Sequence, residues 1–132
     1  MYRSAHLLIA VVSIVFVSCS AEQKLKRRIT GEWSIASYQE QNVSGENGAA
    51  ANIGTISFNR NGKGSKNISG INWRRNVSEG RDFRWQNSAN TVTIFDQNSI
   101  FAKSWIITVN KRKRQEWKST DRGNVQTIEL RR

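Results

Sequence analysis

The sequence predicts an all-β chain that closes into an eight-stranded antiparallel up-and-down barrel, preceded by a signal peptide. Three observations carry that expectation. From Trp33 to the C-terminus, short segments place apolar residues at every second position, the period of a half-buried strand. Clusters of Asn and Gly separate these segments at short intervals and supply turns. No internal repeat and no helical apolar period of useful length interrupts the pattern. A meander of eight strands leaves two unpaired edges, and closing the sheet removes both. A two-sheet sandwich is the alternative.

The N-terminus reads as an address rather than as part of the fold. Arg3 supplies a positive charge, and Leu7 to Val17 is an apolar run of eleven residues broken only by Ser13. A membrane span needs about 20 residues, so this run suits the apolar core of a signal peptide. The following Phe16-Val17-Ser18-Cys19 resembles the lipobox of bacterial lipoproteins, with Phe16 where leucine is usual. That resemblance implies cleavage before Cys19 and its acylation, with palmitate among the chains. It divides the sequence into a lipoprotein signal peptide (1–18), a lipidated basic tether (19–30) and a barrel domain (31–132). The tether is expected to carry at most one helical turn.

The strands are then placed in order. Gly31-Glu32-Trp33 opens the first, Trp33 to Gln41, with Gly31 allowing a sharp bend before a large indole. Residues 42–52 lack a period and read as a loop. Gly54 to Phe58 and Lys63 to Ile68 form a hairpin about Asn59-Arg60-Asn61-Gly62, where Asn-Gly accepts positive φ cheaply. A second long connection, 69–80, contains Trp73-Arg74-Arg75. Strands follow at Arg81 to Gln86, Thr91 to Asp96, Ile100 to Val109, Arg114 to Ser119 and Val125 to Arg131.

These landmarks together resemble the small lipocalin-like lipoproteins of Gram-negative bacteria. The residues that carry the resemblance are Gly31-Glu32-Trp33, the hairpin from Gly54 to Gly64, Phe83-Arg84-Trp85 with Thr91 to Ile94, and a terminal arginine. It implies that an arginine near the last strand, Arg131 or Arg132, lies over Trp33 and plugs the closed end; Arg131 is the first choice. It also implies a binding protein rather than an enzyme, anchored in the outer membrane through Cys19 and holding a small hydrophobic or amphiphilic ligand. Phe58, Phe83, Trp85, Ile94 and Trp105 are the candidate wall, and Arg74, Arg75 and Arg81 are candidates for an anionic head group at the rim. The flanking helix of full lipocalins is not expected. Ser20 after Cys19 accords with outer-membrane sorting, and the periplasmic or surface face is left open.

Charge and composition limit the other classes. Without residues 1–18 the chain keeps 20 Lys and Arg against 10 Asp and Glu, and loses His6, its single histidine. A Ser-His-Asp triad, a Cys-His dyad and a histidine metal site therefore have no histidine to draw on. No phosphate loop or paired carboxylates appear, and no cofactor is expected. Strand counting places the tether, the 111–114 turn and the terminal arginines at the closed end, which predicts anionic head groups as a partner there. Basic residues with interleaved Trp also describe single-strand binders, but a secreted protein meets little nucleic acid. A solid-core module that meets envelope partners through its basic end is the competing function.

Overall fold

Eight antiparallel strands pair in sequence order and close with β1 against β8 in a computed structural model that describes residues 20–42, 47–69, 79, 81–96, 99–121 and 123–132. The strands are β1 (Gly31–Gln41), β2 (Asn47–Phe58), β3 (Lys63–Ile68), β4 (Asp82–Asn87), β5 (Thr91–Phe95), β6 (Ser104–Asn110), β7 (Arg114–Asp121) and β8 (Asn124–Arg131). The barrel, not the sandwich, is the architecture. Residues 1–19, with the expected signal peptide and Cys19, lie outside the described residues, as do Trp73, Arg74 and Arg75. Among the described residues no helix is long and apolar enough to cross a membrane.

Inward positions follow the period of two: Trp33 and Ile35 on β1, Ile56 and Phe58 on β2, Phe83 and Trp85 on β4, Val92 and Ile94 on β5, Ile128 and Leu130 on β8, all buried. The period breaks once in β1. Its register slips between Ile35 and Ser37 against both neighbours, so Ala36 is an inserted residue and the inward parity moves to Tyr38 and Glu40. On β2 the same irregularity is met by Asn52, which takes a φ of 52°.

Four expectations need correction. First, residues 20–29 form a helix, α1, in place of a tether with a single turn. Leu25 and Ile29, four residues apart, share one face and are buried against the barrel, each contributing about 1.5–3 kcal/mol. Two apolar residues in a basic segment made too faint a period to stand out.

Second, β2 begins at Asn47, so most of the expected 42–52 loop is strand. Gly48 to Ala51 pair with Ser37 to Glu40, and this partnership overrides the poor strand propensity of Gly and Ala. Third, β6 begins at Ser104 rather than Ile100. Ile100 and Phe101 occupy a turn, with Phe101 fully buried.

Fourth, the arginine over Trp33 is Arg132. Its guanidinium carbon lies 4.0 Å from the indole centroid, while Arg131 points outward and pairs with Glu129. Leu130 faces inward, so parity turns Arg131 out and brings Arg132 back. Gly31 makes the approach possible. It sits at φ 124°, and a Cβ there would lie 3.1 Å from Arg132 Nη1.

Candidate ligand site at the barrel mouth

The helix α1, which leads into β1, and Arg132, which follows β8, meet at one end of the barrel and seal it. The Trp33 indole N–H donates to Ile29 O at 2.8 Å, and Arg132 donates to the carbonyls of Arg28, Thr30 and Arg112 at 2.9, 3.2 and 3.0 Å. Those carbonyls include the last of α1, which have no partners within the helix. The β4–β5 and β6–β7 connections lie at the same end: Asn87 Nδ2 donates to Glu22 O, and Arg28 Nη1 donates to Asn110 O. The connections after β1, β3, β5 and β7 leave from the opposite end, the mouth.

Inside, the closed half is solid aromatic packing. The Phe58 ring meets Phe83, Trp85 and Trp117 edge-on, at centroid separations of 5.5, 5.2 and 5.6 Å. Gly64 gives the Phe83 ring its place, since a Cβ there would approach the ring to 2.3 Å. Trp85 Nε1 donates to Asn59 O and Lys63 O, at 3.0 and 3.1 Å. Trp117 Nε1 donates to Gln115 Oε1 at 3.1 Å, and Gln115 Nε2 donates to Asn110 Oδ1 at 2.6 Å and Lys111 O at 3.2 Å. Every indole and amide there has a partner.

Toward the mouth the interior changes character. Gln126 on β8 faces inward at 0% exposure, flanked in register by Glu40 on β1 and Ser119 on β7, both buried. Ser119 Oγ donates to Ser104 O at 2.8 Å. Gln126 Nε2 and Oε1 have no hydrogen-bond partner among the described residues. Each such buried group costs about 1–3 kcal/mol. Tyr38, Phe101 and Trp105 pack in the same half, with ring centroids 5.6 and 6.3 Å apart in sequence, and Trp105 Nε1 donating to Phe101 O at 3.0 Å.

A second buried charge group stands at the same end. The Lys66 ammonium on β3 pairs with Asp96 and, at 3.4 Å, with Glu79, and its side chain is fully buried. It also lies 5.7 Å from the Phe83 ring centroid. Glu79 in turn accepts from Ser99 Oγ at 2.8 Å and Ile100 N at 3.1 Å, tying the residues after β5 to β3. Among the described residues no cluster of His, Cys, Asp and Glu could hold a metal ion.

The expected wall residues divide between these regions. Phe58, Phe83 and Trp85 belong to the packed closed half, Ile94 is the cross-strand partner of Trp85, and Trp105 packs on Phe101 toward the mouth. Arg81 is exposed beside an outer groove of about 820 Å³ lined also by Lys63, Arg84 and Phe95, on the far side of the wall from the interior. Arg74 and Arg75 lie outside the described residues. The sequence reading missed Glu40, Lys66, Ser119 and Gln126. Gln126 did carry a signal, because it shares the parity of Ile128 and Leu130.

A closed antiparallel barrel, sealed at one end by α1 and Arg132 and carrying a buried polar belt of Glu40, Ser119 and Gln126 toward the other, has the architecture of a lipocalin-type binding module. The chain belongs to the lipocalin-like domain family: the model of that family, described as a lipocalin-like domain, matches residues 29–113. Among solved structures, a redesigned beta barrel matches with 13% identity and a TM-score of 0.42, covering 81% of this chain and 93% of that one. No curated protein matches the chain.

Proposed function

We propose that the mature protein is a non-enzymatic lipoprotein of the Gram-negative outer membrane, anchored through Cys19, that holds a small amphiphilic ligand at the barrel mouth. Gln126 carries this reading. A buried amide with an open donor and an open acceptor is costly unless something satisfies it, and its place at the mouth is where a ligand would enter. Glu40 and Ser119 beside it favour a hydrogen-bonding head, and the Tyr38, Phe101 and Trp105 rings favour a short apolar body beneath. The packed Phe58 cluster leaves the deep half of the barrel to the protein's own side chains.

That same packing favours a second reading, a solid-core module of the envelope that serves protein partners. Native mass spectrometry of the protein extracted from membranes in mild detergent separates the two. A non-covalent added mass that organic extraction removes is the result expected for a carrier. A clean apo mass, unchanged across a panel of lipids, supports the module instead. The intact covalent mass reads the acyl chains on Cys19 in the same experiment.

A further inference from the structure

A groove of about 730 Å³ runs between α1 and the closed end of the barrel, and five cations line it: Lys24, Arg27 and Arg28 from the helix, Arg112 from the β6–β7 turn, and Arg132. Among the described residues no Asp or Glu side chain lines it. The ion pairs described for this barrel lie elsewhere. Arg114 and Arg131 pair with Glu116 and Glu129 on the outer wall, and Lys66 pairs with Glu79 and Asp96 near the mouth. Folding therefore gathers five cationic side chains around one concavity with no acidic side chain among the described residues that line it.

Two of the five are held in place. Arg132 is fixed by three carbonyls and the Trp33 face, and Arg28 by Asn110 O at 3.4 Å. Burial, with Arg112 and Arg28 nearby, draws the Arg132 guanidinium below its ordinary pKa, the direction expected where positive potential is uncompensated. Pre-oriented guanidinium groups match the paired oxygens of a phosphate.

We propose that this groove binds the phosphate of an anionic phospholipid head group. The source is argued from the chain itself, and here the inference rests on Cys19 being the lipidated N-terminus. Ala21, which lines the groove, stands two residues after Cys19, so the acyl chains would begin no more than about 8 Å of backbone away, at about 3.8 Å between successive Cα atoms. Ala21, Leu25 and Ala89 give the groove an apolar side. Such a site would hold the barrel with its closed end on the bilayer and its mouth away from it.

The test uses the mature protein purified from membranes in neutral detergent, with bound phosphatidylglycerol and phosphatidylcholine counted by native mass spectrometry. The wild type is compared with Lys24→Gln/Arg27→Gln/Arg112→Gln and with a charge-matched control, Lys63→Gln/Arg84→Gln/Lys118→Gln, on the outer wall. Thermal melts establish that both variants fold. The expected result is a preference for phosphatidylglycerol that falls about tenfold in the groove variant and stays in the control. Equal loss in both variants overturns the site in favour of net charge, and equal binding of the two lipids overturns it outright. Displacement of the lipid by millimolar glycerol 3-phosphate assigns the groove to a soluble phosphate ester and overturns the lipid source. The covalent mass at Cys19 is read separately. An unacylated N-terminus fails the anchoring reading, while the lipid count still judges the groove.

Discussion

Two buried glutamines mark the difference between the halves of this barrel. Gln115 and Gln126 are both fully buried and both face inward. At the closed end, Gln115 uses its amide as a bracket, donating to Asn110 and Lys111 and accepting from the Trp117 indole. At the mouth, neither amide atom of Gln126 has a partner among the described residues. The first is part of a finished structure, in which each polar group at the core edge is satisfied. The second is a structural cost retained where a ligand would enter. Within one sheet, the same residue type is bracketed at one end and left without hydrogen-bond partners among the described residues at the other.

The comparison breaks most visibly at the aromatic plug. Trp117→Ala removes a buried indole from the Phe58 cluster and strips Gln115 of a donor. A loss of about 3–5 kcal/mol in denaturant unfolding is expected, with ligand occupancy lost only through unfolding. Lys66→Met is expected to cost nearly as much, about 3–5 kcal/mol, because it leaves Asp96 and Glu79 facing each other without their cation. Its distinguishing sign is local: amide exchange should accelerate first at Ile100, whose N–H donates to Glu79, and at Phe101, whose N–H donates to the Ser99 hydroxyl that Glu79 holds.

Arg132→Ala should lose about 2 kcal/mol, since it removes a cation over Trp33 and three hydrogen bonds to carbonyls. Arg131→Ala should be close to neutral in the same melts at pH 7. Equal effects would return the closure role to Arg131. The smallest effect concerns acid stability. Glu129 is held below its ordinary value of 4.5, first by the Arg131 hydrogen bond and then by the charges of Arg131 and Arg114. A lowered carboxylate stabilises the fold above its unfolded pKa and loses that contribution as pH falls through the folded one. Melts between pH 5 and 2 should therefore show a shallower acid decline for Glu129→Gln than for the wild type.

The order of the strands and the barrel's polarity were legible because alternation and turn chemistry are local. Asn59 to Gly62 announces its hairpin in four residues, and Phe83-Arg84-Trp85 displays its two faces directly. What escaped depends on contacts distant in sequence. The Ala-rich start of β2 is strand because β1 holds it there, and α1 is a helix because Leu25 and Ile29 find the barrel end. Arg132 replaced Arg131 through parity, which Leu130 had already fixed. In the site, Glu40 was hidden by the bulge at Ala36: strict alternation from Trp33 and Ile35 continues the inward face through odd numbers, and the inserted residue moves it to Tyr38 and Glu40. Lys66 shared its face with Gly64 and Ile68 in a strand too weakly patterned to read. Gln126 was readable in position, but only the structure shows that nothing answers its amide.

The central claim is that the mouth holds a polar group kept for a ligand at the expense of the fold, and Gln126→Leu tests it in one measurement. Equilibrium unfolding of the delipidated, ligand-stripped protein should show the variant more stable than the wild type by about 1–3 kcal/mol, since the orphaned amide is removed at similar volume. A variant less stable than the wild type would contradict the account: Gln126 would then have partners inside the barrel, and the mouth would be as finished as the closed end.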